Sequence, residues 1–139
     1  MKKQSIIVAA FIVNNDKVLL AKRSSTKRIA PDKYHLPGGH VEFGEHPEHA
    51  LIREIKEELN LDILVKMPFF TLSYTFNDEH TIGIIYHALP ISPFEEITTD
   101  SLDIDHIIWS SHHEIDKYLE KHDHNYQAIL QGYELLNTI

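Results

Sequence analysis

The chain contains no cysteine, which excludes disulfides, thiolate metal sites and cysteine nucleophiles and suits a reducing cytoplasm, the compartment expected for it. Basic charge is also short: 13 Lys and Arg stand against 21 Asp and Glu, for a net charge of −8. A protein that grips a nucleic-acid polymer by its backbone needs a basic face, so that partner is not expected. An acidic chain can still bind phosphates where a divalent cation bridges them. Long apolar runs are missing too. Nothing approaches the roughly 20 residues of a membrane span. The opening "MKKQSIIVAAFIV" has lysines ahead of an apolar stretch, as a signal peptide does. It runs straight into "NNDKVLLAKRSS" without a small-residue cleavage site, and it reads as a β-hairpin about Asn14-Asn15-Asp16. No repeat, linker or low-complexity tract interrupts the sequence, so a single domain over 1–139 is expected, with about two-thirds of its unfolded surface buried.

What is present alternates between strand and helix signals. Ser5 to Val13 and Lys17 to Arg23 read as strands, "SSTKRIAPDK" as a polar loop with basic Lys27 and Arg28, and "YHLPGG" as a turn. "PEHALIREIKEEL" reads as a helix from Pro47 to about Leu59, with Pro47 in the first turn and His46 at the N-cap. "DILVKMPFFTLSYTF" and "TIGIIYHAL" are strand-rich and flank a hairpin turn at "NDEH". "IDHIIW" is a further strand. Ser111 and Glu114 have the spacing of a capping box before "HHEIDKYLEK", and "YQAILQGYELL" is a last amphipathic helix. Strands with interspersed helices predict an α+β protein, a mixed sheet with helices packed on it.

The first helix raises a physical question. At about 100° per residue, Leu51, Ile52, Ile55 and Leu59 share one arc and should face the core. Glu54, Glu57 and Glu58 then lie at i, i+3 and i+4 on the adjoining face. Three carboxylates within a turn repel one another. One reading is a solvated acidic face with Arg53 and Lys56 as partial counter-ions. The other is a site for a hard divalent ion such as Mg²⁺ or Mn²⁺, which prefers oxygen ligands and links carboxylates to substrate phosphates.

The wider spacing favours the second reading. Gly39, five residues, Glu45, seven residues, then Arg53-Glu54-Ile55-Lys56-Glu57-Glu58-Leu59-Asn60-Leu61 resembles the Nudix box, G-x5-E-x7-R-E-U-x-E-E-x-G-U with U a bulky aliphatic residue. Asn60 stands where that pattern has glycine. The change is mild if the position is left-handed, a conformation asparagine tolerates. The resemblance implies the fold of Nudix (MutT-like) hydrolases, an α/β/α sandwich with a mixed sheet between helices. It implies hydrolysis of a nucleoside diphosphate linked to a further group by attack of water on phosphorus, with Mg²⁺ or Mn²⁺ as cofactor. Carried over by position, Glu54, Glu57 and Glu58 look like the metal ligands, with the Gly38 carbonyl as a further one. Arg53 and Glu45 look like the supports of those carboxylates. Glu58 is the first choice for the general base; Glu95, Glu96, Asp103 and Asp105 are loop alternatives.

The substrate must be sought outside the box. Arg23 ends a strand in the manner of family members that bind a terminal phosphate there. His35 borders the glycine turn and Tyr74 is a candidate for stacking on a base, as are Tyr34, Phe70 and Tyr86; Trp109 reads as core or pocket wall. About 16 residues past the box stand Asn77 and Asp78, where ADP-ribose and dinucleoside-polyphosphate members tend to carry proline or tyrosine. "LLAKRSSTKRIAPDKYHLPGG" matches a coenzyme A signature at Arg23, Ser24 and Arg28 but departs from it at Ala21, Asp32 and Leu36. "LPGGHVEFGE" looks more like the small members that cleave nucleoside triphosphates to monophosphate and pyrophosphate, the preferred expectation. A small-molecule nucleotide is the partner expected, and a homodimer is possible though no residue pattern demands one. A binding module on the same fold would be expected to lose box glutamates, and an isopentenyl diphosphate isomerase needs a cysteine. The histidines of "HHEIDKYLEKHDH" are read as surface residues, since adjacent His112 and His113 point apart on a helix.

Overall fold

The computed structural model describes residues 2–27, 31–99 and 101–137. Its strands are β1 Lys3–Phe11, β2 Val13–Asn14, β3 Lys17–Arg23, β4 Tyr34–His35, β5 Gly38–His40, β6 Ile63–Phe76, β7 Glu79–Pro90 and β8 Ile104–Ser111. Its α-helices are α1 Pro47–Leu59 and α2 His124–Asn137. One sheet has the order β5-β1-β7-β6, with β1 parallel to β7 and the other pairs antiparallel. The second joins β2, β3 and β4, with β8 antiparallel to β3. One mixed and one antiparallel sheet, with α1 packed on one side of the core and α2 on the other, match the expected α/β/α arrangement. Among the described residues no helix is long and apolar enough to cross a membrane.

Two turns carry the hairpins. Asn15 and Asp16 have φ of 52° and 62°, and Asn77 and Asp78 have 50° and 62°. Paired positive φ values make the tight turn whose twist suits a β-hairpin, and Asn and Asp bear that conformation better than other side-chain-bearing residues. The first hairpin is shorter than expected. Only Val13 and Asn14 pair with β3, because the chain leaves the first sheet after Phe11 and β1 pairs with β5 and β7 instead. The apolar stretch from Ser5 to Val13 therefore serves two sheets, a division that period-two patterning does not reveal.

The core divides accordingly. On one side Val8, Ala10, Leu19, Ala21, Tyr86 and Ala88 pack against Ala50, Leu51, Ile55 and Leu59 of α1. On the other, Phe11, Val18, Leu20 and Ile85 pack against Ala128, Ile129 and Tyr133 of α2. The Tyr133 hydroxyl donates to the Asp16 carbonyl at 2.7 Å, tying α2 to the first hairpin turn. Tyr86 is thus a core residue facing α1, not a base-stacking one. Trp109 also packs on that core, edge-on to Phe94 at 4.9 Å.

α1 has the expected bounds, and its N-cap is His46, whose Nδ1 accepts the Glu48 N–H at 3.1 Å. One member of its expected core arc is displaced: Ile52 is 40% exposed, and Ala50 takes the buried place. The segment after β8 also differs. His112–Lys117 is a 3₁₀ helix, and Ser111 makes no side-chain capping bond, so no capping box forms. A 3₁₀ helix bonds i to i+3, so its first turn differs from the α-helical one that a capping box closes.

Candidate active site

The glycine turn and α1 meet because nothing larger than hydrogen fits between them. A Cβ built on Gly39 would overlap the Glu54 carboxylate, and one on Gly38 would overlap the Val8 carbonyl oxygen. β5 lies against β1 through Gly38 opposite Ala9 and Gly39 opposite Val8, with Glu54 pressed on its other side. Asn60 ends α1 at φ 53° and ψ 36°, the left-handed conformation expected of it, and its Nδ2 donates to the Glu96 carbonyl at 3.1 Å. This cap turns the chain out of the helix directly after Glu57 and Glu58.

Arg53 organises the carboxylates. Its Nε and Nη2 donate to the two oxygens of Glu45 at 2.8 and 2.9 Å, a bidentate fork. Nη2 also donates to the His40 carbonyl at 3.1 Å, and Nη1 to Glu54 at 3.0 Å and Glu57 at 3.3 Å. Glu45 additionally accepts the Glu42 N–H at 3.0 Å. Hydrogen bonds from Arg53, then from the Glu42 main chain, hold the Glu45 carboxyl down to about 2. Arg53 in turn is raised above its ordinary value by Glu45, then by Glu54. Arg53 and Glu45 are therefore joined as a pair at the base of the helix acids.

The three glutamates of α1 differ in environment. Glu57 projects outward, its side chain 59% exposed. Glu54 is mostly covered, and burial raises its pKa against the opposing pull of Arg53. Glu58 is 9% exposed, and its Oε2 is enclosed without a hydrogen-bond partner. Burial first, then the charges of Glu54 and Asp103, push it up to about 8. A carboxylate oxygen enclosed and unsatisfied is costly to keep charged. A proton or a cation would relieve it. In this arrangement the described residues contain no cluster of three ligand side chains drawn together for a metal. Arg53 holds one carboxylate back and Glu57 turns to solvent.

Glu54 and Glu58 open into a cavity of about 1370 Å³ that also takes in Gly38, Arg23, His35 and Tyr74. Arg23 sits at the end of β3, and its charge is felt at both Glu58 and His35. The His35 Nδ1 lies 2.7 Å from the Leu36 carbonyl, which can only accept, so that nitrogen carries the proton. Its Nε2 is enclosed and unpaired, and burial lowers the imidazole pKa. Tyr74 is 44% exposed at the far side and lies nearly parallel to His124, ring centroids 6.0 Å apart. The expected site residues thus gather about one cavity, apart from the outward-turned Glu57 and the supporting pair behind it. Tyr34 lines the cavity as well, while Phe70 packs into the α2 core.

Among the loop acids, Asp103 lines the cavity, whereas Asp105 faces His106 at 3.3 Å and Glu95 and Glu96 sit exposed in a 3₁₀ turn. Arg28, part of the coenzyme A comparison, lies outside the described residues. His112 and His113 stack on each other at 5.5 Å, with His112 also on Tyr133 at 4.5 Å. Both are exposed, as expected, but they lie together instead of pointing apart, in a 3₁₀ rather than an α-helix. Sequence reading missed Asn125, at the start of α2, which accepts the Leu36 N–H at 3.0 Å and lines the cavity. Its only sequence signal was its place just after "HDH", ahead of the last helix.

Comparison with known proteins identifies the family and the fold. The chain is 35% identical to the 8-oxo-dGTP diphosphatase of Escherichia coli strain K12 over 80 residues, 58% of this chain and 61% of that one. It is 38% identical to the nucleoside triphosphatase NudI of Escherichia coli O139:H28 over 77 residues, 55% of this chain and 52% of that one. The matched stretch therefore spans less than two thirds of these relatives. The fold is shared with a MutT NUDIX hydrolase from Burkholderia pseudomallei, TM-score 0.79 at 24% identity over 92% of this chain and 97% of that one. It is shared also with the MutT protein of Methanosarcina mazei Go1, TM-score 0.80 at 21% identity over 99% and 98%. The profile of the NUDIX domain matches residues 3–131. A match running from the first strand into the last helix makes the chain a member of the NUDIX domain family.

Proposed function

We propose that the protein hydrolyses nucleoside triphosphates to monophosphate and pyrophosphate with the help of Mg²⁺ or Mn²⁺. The observation that carries this reading is Glu58, a buried carboxylate with an unsatisfied oxygen, beside Glu54 at the floor of a cavity that Arg23 also lines. Names borne by the matching relatives, an 8-oxo-dGTP diphosphatase and a nucleoside triphosphatase, support the same class.

Glu54, Glu57 and Glu58, with the Gly38 carbonyl, would hold the cation. Bound there, it would neutralise diphosphate oxygens and lower the pKa of an attacking water. Arg53 keeps Glu54 and Glu57 oriented through its fork on Glu45, the supporting role that outer partners play around ligands. Glu58 is our first choice for the group that takes the proton, since it lies beside Glu54 on the wall of the cavity. Arg23 offers a fixed positive charge to a phosphate. His35 and Tyr74 border the space left for the nucleoside.

The test is product analysis over a panel of canonical and oxidised nucleoside triphosphates, ADP-ribose, dinucleoside polyphosphates and coenzyme A, with and without divalent cation. Metal-dependent release of monophosphate and pyrophosphate, lost in Glu57→Gln, is the expected result. Turnover of triphosphates that persists in chelator, or in that variant, would sink the proposal.

A further inference from the structure

Outside α1, the cavity wall carries an acid that is already paired with a cation. Lys27 Nζ donates to Asp103 Oδ1, and both residues line the cavity with Glu54 and Glu58. The pair is assembled by the main chain on either side. The Ser24 N–H donates to the Asp103 carbonyl at 2.9 Å, and the Lys27 N–H donates to the Ser24 carbonyl at 3.1 Å. Ser24 thus anchors the strand-end turn that carries Lys27 to the loop that carries Asp103. The Asp103 N–H donates to the Ser101 hydroxyl at 3.0 Å, which steadies that loop. Asp103 is also close enough to Glu58 for its charge to act on that carboxylate.

We propose that Lys27 is an exchangeable counter-ion, seated on Asp103 while the carboxylate site is empty and displaced toward a substrate phosphate when a divalent cation occupies it. The inference rests on the function proposed above. Asp103 lines the same cavity as Glu54 and Glu58, so a divalent cation held by those glutamates would repel the Lys27 ammonium and compete with it for the Asp103 charge. The side chains of the pair are partly exposed, 33% for Lys27 and 48% for Asp103, and an ion pair so placed contributes little and is readily broken. Lysine suits the exchange better than arginine, since its ammonium is a point charge on a flexible stem with no fixed fork to dismantle. The other basic side chains of the cavity provide a comparison. Lys33 lines the same space and carries the same charge, without the Asp103 contact.

The experiment is a titration with Mn²⁺ alone, followed by electron paramagnetic resonance, on wild type, Lys27→Met, Asp103→Asn, the double variant and Lys33→Met. Steady-state kinetics with a nucleoside triphosphate accompany it. Lys27→Met is expected to bind Mn²⁺ about two- to fivefold more tightly, the size of a partly exposed ion pair. Its KM for the nucleotide should rise at the same time. In the Asp103→Asn background the effect of Lys27→Met on Mn²⁺ affinity should vanish, because the pair it acts through is gone. Unchanged or weaker Mn²⁺ binding in Lys27→Met overturns the inference. So does equal tightening in Lys33→Met, or tightening that survives in the double variant, since either reports net charge alone. A wild-type protein that takes up no Mn²⁺ overturns the proposed function and this inference together.

Discussion

Arg53 grips both oxygens of Glu45, at 2.8 Å from Nε and 2.9 Å from Nη2, and spends its remaining donor, Nη1, on Glu54 and Glu57. One guanidinium therefore joins the loop before α1 to two acids of the helix itself. Its planar fork is what makes this possible, since a single ammonium cannot hold two oxygens of one carboxylate and two further acids in fixed directions.

Arg53→Lys should accordingly keep the charge and lose the orientation. If Glu54 and Glu57 hold the cation as proposed, affinity for Mn²⁺ or activity is expected to fall about 10- to 100-fold, the usual cost of removing an outer partner of metal ligands. Calorimetric titration with Mn²⁺ checks this, and circular dichroism should show a native fold. Affinity equal to wild type would mean that Arg53 is only a surface counter-ion.

Glu58 predicts a pH dependence for the metal-free protein. Its pKa is about 8 in the folded chain against 4.5 for an ordinary glutamate. Between those values the folded state holds a proton that the unfolded state has released. This contribution to stability is complete below about pH 4.5 and is lost as pH rises through about 8. Its ceiling is roughly 5 kcal/mol, at about 1.4 kcal/mol per pH unit. Glu45, held down to about 2, acts in the opposite sense and only as the solution becomes acid. Urea midpoints measured in chelator from pH 5 to 9 should therefore decline for wild type and be flatter for Glu58→Gln. Added Mn²⁺ should offset the decline, since a cation replaces the proton. Parallel curves for the two proteins would refute the assignment.

The two glycines of β5 should separate stability from function. At Gly38 a new Cβ meets the Val8 main chain, which cannot swing aside, so Gly38→Ala is expected to destabilise by about 3 kcal/mol. At Gly39 it meets the far end of the Glu54 side chain, which can move. Gly39→Ala should cost about 1 kcal/mol or less in stability while displacing a proposed ligand, so its loss should appear in activity. Thermal unfolding and turnover, measured side by side, decide between these outcomes.

Asn60 tests the left-handed cap. Asn60→Gly removes a small conformational cost but also the bond to the Glu96 carbonyl, so stability should stay within about 0.5 kcal/mol of wild type. Asn60→Val places a β-branched residue at φ 53° and should lose about 1–2 kcal/mol. Denaturant unfolding distinguishes them; a harmless valine would mean the helix end relaxes freely.

Local chemistry made part of this protein legible from its sequence alone. The span of α1, its His46 cap, the left-handed Asn60 and the places of both hairpin turns, though not their two-residue length, depend on neighbours a few positions apart, where backbone preference and hydrogen-bonding reach are set by residue type. So does the run Glu54, Glu57, Glu58, whose helical spacing puts three acids within one turn. Tertiary structure alone decided how those acids differ. Helical spacing cannot tell Glu57, in solvent, from Glu58, enclosed with an unsatisfied oxygen, because burial depends on strands that pack from elsewhere in the chain. The same holds for Ile52, turned outward although its phase points to the core, and for β1, which leaves its hairpin partner for β5 and β7. The Lys27–Asp103 pair, 76 residues apart, and the Asn125 contact to Leu36, 89 apart, join residues whose pairing no local pattern marks. They exist because closing the two sheets brings distant loops to one cavity mouth, and contacts made by chain closure are not written in the periodicity of either segment.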